Sequence, residues 1–388
     1  MTAQELLFAM LRSVICGEAA CEQVKTACSP ELLTQVYNLA NRHDLAHLVG
    51  QAAADWKLPE SEPVKLAKQT AMQALVRSVK LEYALQRLCK TLEEGQIPFI
   101  PLKGSVLRNH YPQSWMRTSC DIDILVKPSD LEKAKDLLVS CLSYRYIATN
   151  THDMSLASPE NVHLELHFDT IESFVSEKAQ QIMAGVWEDA TPVEGRKFHC
   201  TLSDELFYFY HIAHMAKHVA NGGCGIRPFL DLWILEKKIP HQGEKRDALL
   251  AAGGLQRFTD AARKLMEIWL CGAESDEMSA RLEQFILTGG TFGNKMNQVA
   301  VQQTKSGSRA KYILSRVFLP YHHMKVQFPI LEKHKWLMPA CQVIRWCRVP
   351  FGDARKRTVQ ELDSSKRVAG EDADFAAQLL EYLGMEKE

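Results

Sequence analysis

IPFIPLKGSVLRNHYPQSWMRTSCDIDILV, residues 97–126, is the stretch on which the reading of the fold turns. IPFIPL (97–102) is a short apolar run of strand type, Lys103-Gly104-Ser105 follows as a tight turn, and SVLRNHY starts a helix that Pro112 stops. DIDILV (121–126) reads as a second strand. Residues two apart on a strand share a face, so Asp121 and Asp123 converge on one spot while Ile122 and Ile124 enter the core. Neighbouring carboxylates repel and tend to keep a proton unless a cation compensates them. Oxygen-ligated Mg2+ or Mn2+ is the natural compensator, and such ions are typically shared with substrate phosphates. The Lys103-Gly104-Ser105 turn lies where a strand becomes a helix, so backbone N–H groups, the helix dipole and a hydroxyl can meet an anion.

Downstream, Pro128 opens a helix, PSDLEKAKDLLVSCL (128–142), with Ser129 or Asp130 near its cap. YRYIAT (144–149), MSLA (154–157) and NVHLELHF (161–168) complete a small sheet. Alternation in the last of these places His163, Glu165 and His167 on one face and the leucines on the other. If this strand neighbours the aspartate strand, Glu165 becomes a third carboxylate at the metal site. Any one of these elements alone is an ordinary polar strand face; their order and shared geometry point to a metal site.

On both sides of this core the pattern is helical. In residues 1–94 apolar side chains recur at three- and four-residue steps, most clearly from Ser61 to Glu94. There Ser61 reads as a cap, Pro63 stands in the first turn, and Gly95 follows the end. At ~1.5 Å per residue this is one rod of roughly 50 Å, or two helices with an unmarked break. From residue 171 the chain is predominantly helical again, broken at NGGCG (221–225) and by loops near 239–245 and 304–309. The expectation is an α+β fold: a small mixed sheet in residues 95–170, between helical regions 1–94 and 171–388.

Composition narrows the class. The 388 residues carry 46 Lys+Arg against 47 Asp+Glu, a net charge of −1, so total charge indicates no general polyanion-binding surface. With 46% hydrophobic and 24% charged residues, disorder over most of the chain is excluded. The neutrality hides an asymmetry: residues 305–367 hold fourteen Lys or Arg and four acids, a local +10 against about −11 elsewhere. Such a segment is a solvated basic surface, or one that neutralises substrate phosphates or a membrane surface. Eleven cysteines, an odd number without a CxxC pair, fit a reduced compartment better than a disulfide framework. No basic leader precedes the first apolar residues, and no apolar run reaches the ~20 residues of a membrane span, so a soluble, cytoplasmic protein is expected.

The run PLKGSVLRNHYPQSWMRTSCDIDILV followed by NVHLELHF resembles the polymerase-β-like nucleotidyltransferase superfamily. That pattern is an apolar strand, Gly-Ser or Gly-Gly, a spacer, acid-x-acid, and a later single acid. More closely, LKG, Arg117 before DIDILV, and ELH resemble an uncharacterised bacterial branch of it, as do NRHDLAHLV (41–49), residues 211–235 and residues 328–349. The fifteen-residue spacer from Ser105 to Asp121 is long for the superfamily and similar to that branch. The resemblance implies Mg2+-dependent transfer of a nucleoside monophosphate from an NTP to an acceptor, with release of pyrophosphate. Asp121 and Asp123 would hold two metal ions, Gly104 and Ser105 the β and γ phosphates, and Arg117 a further phosphate; the lysine before Gly-Ser departs from the superfamily, and Lys103 would add a phosphate contact that other members lack. Glu165 would complete the second metal site or take the acceptor's proton. The acceptor, whether small molecule, protein or RNA, is left open, as is the nucleobase.

A second cluster is His211, His214 and His218 with Arg227 and Asp231. Steps of three and four put the histidines on one helix face, which suits acceptor or phosphate contacts, a zinc site, or a partly buried polar helix. His163 and His167 are further candidates for acceptor or phosphate contact, whereas His43 and His47 read as inter-helix contacts. Two rival functions remain: a metal-dependent glycosyltransferase using a nucleotide-sugar, since acid-x-acid also binds that metal, and a non-catalytic nucleotide-binding scaffold.

Overall fold

The computed structural model describes residues 1–170, 176–291, 293–348 and 370–386. Its sheet has five strands: β1 (Phe99–Pro101), β2 (Asp121–Val126), β3 (Arg145–Thr149), β4 (Asp153–Ala157) and β5 (His163–His167), in the order β1-β2-β5-β4-β3. β2 and β5 run parallel, and the other pairings are antiparallel. The parallel register sets Asp121 opposite His163 and Asp123 opposite Glu165. Helix Leu131–Leu142 and the β3–β4 hairpin supply the crossover that a parallel pair requires.

Alternation along β2 gives the sheet two different faces. Ile122, Ile124 and Val126 pack with Leu164 and Leu166 against Leu81, Leu88 and Leu92 of helix Glu62–Glu94 and Leu138 of helix Leu131–Leu142. Fully burying such a side chain is worth about 1.5–3 kcal/mol, so this layer fixes the register of β2 and β5. On the opposite face Ile100, Leu102 and Leu125 join the main core built by the N- and C-terminal helices. Asp121 and Asp123 share that second face, so the acids look toward the helical flanks.

Helix Glu62–Glu94 is one uninterrupted rod of 33 residues, with Pro63 in its first turn. Ser61 does not act as a cap: its hydroxyl makes no hydrogen bond to the helix and is buried without a partner. Gly95 ends the helix for a packing reason, because a Cβ there would lie 2.3 Å from Leu137 Cδ2, and the left-handed turn falls on Gln96 at φ 53°. The rod also crosses helix Ala46–Asp55 closely, where a Cβ on Gly50 would lie 2.3 Å from the Ala67 carbonyl oxygen.

The expected helix after Ser105 is shorter than the sequence suggests, a single turn at Gly104–Leu107 followed by a 3-10 turn at Arg108–His110. Pro128–Asp130 is likewise a 3-10 turn before the helix. Within the region expected to be helical from 171 on, a small hairpin forms between β6 (Thr191–Pro192) and β7 (Cys200–Thr201). The Glu93 carboxylate accepts backbone N–H bonds from Lys197, Phe198 and His199, and the Phe99 N–H donates to the Phe198 carbonyl, so the hairpin closes the β1 edge.

In the basic segment, helix Arg309–Val317 packs Tyr312 into the main core, and helices Tyr321–Gln327, Ile330–Lys333 and Met338–Arg348 surround a small separate core of Met324, Leu331 and Cys341. Arg355, Lys356, Arg357, Lys366 and Arg367 lie outside the described residues. The cysteines are free thiols, and no helix among the described residues is long and apolar enough to cross a membrane.

Candidate active site

The turn between β1 and the short helix is built on a strained residue. Lys103 has φ 45° and ψ −120°, a backbone region that costs a non-glycine residue about 1–3 kcal/mol. Its ammonium donates to Asp123 Oδ1 at 2.7 Å, and the Leu102 N–H donates to the Asp123 carbonyl oxygen at 3.0 Å. Gly104 is pressed against the next loop: a Cβ there would meet Arg117 Nη1 at 3.2 Å and Ser119 at 3.3 Å. The backbone N–H groups of Ser105, Val106 and Leu107 already donate to the Leu102 and Lys103 carbonyls. An anion would therefore meet side chains here more than amides, and a one-turn helix offers little dipole. The Ser105 hydroxyl is buried and makes no hydrogen bond with the protein.

The acids converge. The Asp123 Oδ1 that receives Lys103 lies 2.8 Å from His167 Nε2, and His167 Nε2 is 3.3 Å from Glu165 Oε2. His163 Nδ1 stands 4.0 Å from Glu165 Oε1. Burial alone would raise the Asp123 carboxyl, but the Lys103 ammonium and the His167 hydrogen bond hold it well below the usual carboxylate range. Glu165 is lowered chiefly by its hydrogen bond with His167. Asp121 goes the other way, raised by burial and by the charges of Asp123 and Glu165. Burial opposes charge on His167, but its bonds to both carboxylates raise its pKa. Two sets offer ligand atoms within 4.8 Å of one another: Asp121, His163 and Glu165, and Asp123, Glu165 and His167. The uncompensated charge on Asp121 and the carboxylate oxygens of both sets fit a hard divalent cation such as Mg2+ or Mn2+. His167, tied to Asp123 and Glu165, is better placed to orient those acids than to serve as a ligand.

Helix Asp204–Ala220 adds a wall that the sequence shows only in part. Tyr210, which the sequence offers only as an aromatic neighbour of the histidines on a partly buried helix, is buried near Lys103 and the three acids, and burial raises its phenol strongly. Its only sequence signal is a helical step of four to His214. His214 and His218 pack ring against ring at 4.5 Å, and both are kept neutral, first by burial and then by Lys103 and Lys217. His211 parts from them, its Nε2 lying 3.0 Å from the Pro228 carbonyl oxygen. Among the described residues the three histidines are not a group with metal-holding geometry.

Arg117 differs from the sequence reading. Its guanidinium is buried and grips Asp231, with Nε–Oδ1 at 2.8 Å and Nη2–Oδ2 at 2.9 Å, while Tyr111 donates to Asp231 Oδ1 at 2.7 Å. A charge engaged in this way has little left for a phosphate. Arg227 Nη1 is similarly occupied by Asp44 and by the Thr118 carbonyl oxygen, and Thr118 itself donates to Asp44. His47 Nε2 lies 2.9 Å from the Met116 carbonyl oxygen, and the buried Arg108 donates to Gly104 O and Ser119 Oγ. The long spacer between Ser105 and Asp121 is thus clamped by residues from both helical flanks.

A family model described as an uncharacterised nucleotidyltransferase matches residues 30–271, a span that holds the three acids, the Lys103 turn and the clamping residues Asp44, His47, Arg227 and Asp231. No curated protein and no solved structure matches the chain. With more than half of its length matched, the chain belongs to this family of uncharacterised nucleotidyltransferases, enzymes that transfer phosphorus-containing groups.

Proposed function

We propose that the chain transfers a nucleoside monophosphate from an NTP to an acceptor hydroxyl, releasing pyrophosphate, in a Mg2+- or Mn2+-dependent reaction. The observation that carries the reading is the face of β2 and β5, where Asp121 and Asp123 alternate and Glu165 stands opposite Asp123. Metal ions held by Asp121, Asp123 and Glu165 would neutralise charge on the triphosphate and on the departing pyrophosphate. Lys103 keeps Asp123 ionised and adds positive charge beside the phosphates. Ser105, buried without a protein partner, donates its hydroxyl to a phosphate oxygen. Glu165, held ionised by His167, takes the proton of the acceptor hydroxyl. Tyr210, His214 and His218 close the pocket from the helical side and exclude water.

For the acceptor, a groove of about 770 Å³ runs along helix Glu62–Glu94, lined by Met72, Val76, Arg77 and Lys80 on one side and Glu160 to Val162 on the other. Cys120 and Val162, the residues before Asp121 and His163, are part of its lining, which sets the groove next to the starts of β2 and β5. Its volume suits a small molecule or the tip of a larger one. The test is pyrophosphate release from each NTP in an acceptor screen with Mg2+ or Mn2+, for wild type and for Asp121→Asn with Asp123→Asn. Transfer is expected for the wild type alone. Undiminished release by a folded double variant would sink the assignment.

A further inference from the structure

The basic segment left aside by the catalytic reading pairs its charge with an unusual exposure of apolar side chains. Between Arg309 and Trp346 the chain has seven Lys or Arg and a single acid, Glu332. Among the described residues its helices bury Met324, Leu331 and Cys341 in a small core of their own and Tyr312 in the main core, while Phe318, Ile330, Trp336, Val343 and Ile344 are exposed, Trp336 to 76%. Soluble proteins seldom expose that many large apolar side chains in so short a stretch without a partner.

The exposed groups are held together. Arg345 donates to the carbonyls of Arg316 and Val317, Trp346 Nε1 donates to Val317 O at 2.7 Å, and the Phe318 and Trp346 rings meet edge-on at 5.1 Å. These bonds lock the end of helix Arg309–Val317 onto helix Met338–Arg348, so exposed Phe318 sits against the helix that carries exposed Val343 and Ile344. Lys333 and Lys335, both exposed, flank the same turn as Trp336.

We infer that helices Arg309–Arg348 form a docking surface for an anionic lipid bilayer, lying on its headgroups with Trp336 and the aliphatic side chains inserted. Lys and Arg beside Trp, Phe and aliphatic residues are the composition of interfacial helices, with cations toward anionic headgroups and apolar tips toward acyl chains. A second copy of the chain is disfavoured as occupant because seven cations would face seven cations. RNA would use the cations but leave Ile330, Val343 and Ile344 without a role, since bases stack on aromatic faces and not on aliphatic ones. Because no described helix is long and apolar enough to cross a membrane, the attachment is to the surface. This inference is independent of the transfer chemistry.

The experiment is co-sedimentation of the full-length protein with vesicles of phosphatidylcholine plus phosphatidylglycerol, and with vesicles of phosphatidylcholine alone. Binding is expected to be at least about tenfold tighter on the anionic vesicles and to weaken with salt. Trp336→Ser with Ile330→Ser, and separately Lys333→Glu with Lys335→Glu, should each lower it by about tenfold. Both pairs are exposed, so the melting temperature should not move. Absent binding, equal binding to both vesicle types, or binding unchanged in both folded variants overturns the inference. So does an RNA oligonucleotide or an acidic polypeptide that binds more tightly than the anionic vesicles, or a dimer in solution that Trp336→Ser dissolves.

Discussion

Replacing Asp231 with Asn tests the clamp on which the active-site loop depends. The pair it forms with Arg117 is almost dry, at 2% and 8% exposure, and bidentate. At 2.8 Å and an effective dielectric constant of ~20, the Coulomb attraction is about 6 kcal/mol, most of it offset by desolvation of the two charges. Asn keeps the volume and an acceptor for Tyr111 but removes the charge, leaving a buried guanidinium uncompensated. Such a loss costs about 3–5 kcal/mol. Urea denaturation of wild type, Asp231→Asn, Arg117→Met and the double variant measures it. The double variant should cost less than the sum of the singles by about 2 kcal/mol or more, because the second change removes the charge that the first stranded. Acid should act in the same direction. Burial would raise the Asp231 carboxyl, but Arg117 holds it below its ordinary value. A depressed folded pKa contributes stability that is complete above the unfolded value of about 3.9 and lost as pH falls through the folded one. The clamp should thus be intact at mildly acidic pH and fail only in strong acid, and Asp231→Asn should lack this last phase. A change within about 1 kcal/mol, or additive single variants, would refute the reasoning. A folded Arg117→Met with undiminished stability and weakened NTP binding would return Arg117 to a phosphate contact.

Ser105→Ala should separate stability from binding: the buried hydroxyl bonds to nothing in the protein, so melting should hardly change, while NTP affinity drops by about 1.5–3 kcal/mol in titration calorimetry. Burial pushes His43 and His218 down to about 4 and lowers His47, His211 and His214, so all are neutral when folded. The unfolded chain binds protons first, so each such group removes up to about 1.4 kcal/mol of stability per pH unit as pH falls from 6.5 toward 4. His43→Gln should flatten that slope in melts recorded across this window, and an unchanged slope would exclude His43 as a contributor. Gly50→Ala should cost about 3 kcal/mol or more, since a Cβ 2.3 Å from the Ala67 carbonyl forces the two helices apart, and a variant as stable as wild type would show that the crossing has slack.

Local chemistry was readable from the sequence where it has a period. The two-residue alternation of DIDILV and HLELH set the acids on one face, and the position of Glu165 beside Asp123 followed once the two strands paired. The α+β class, the mixed sheet and the helical flanks followed from the same patterns. What stayed hidden depends on distant partners. Arg117 looks like a spare cation because Asp231 lies 114 residues away. Tyr210 looks like one aromatic among several on an apolar helix, and only the packing of Asp204–Ala220 near Lys103 reveals it. The β6–β7 hairpin is two residues per strand, too short for any periodic signal.

The clamp also bears on how the molecule can be divided. Cutting the chain at residues 94 and 170 would isolate the sheet with its acids, yet strip away Asp44, His47, Arg227 and Asp231. Arg117 would be left with an unanswered charge, the Met116 carbonyl would lose His47, and the Thr118 carbonyl would lose Arg227 and keep Arg117. The Ser105-to-Asp121 loop would keep the Arg108 bonds to Gly104 O and Ser119 Oγ but lose its ties to the helical flanks. The sheet is a unit of topology whose loop is tied by residues outside it, and a fragment that keeps the whole clamp reaches from before Asp44 to beyond Asp231.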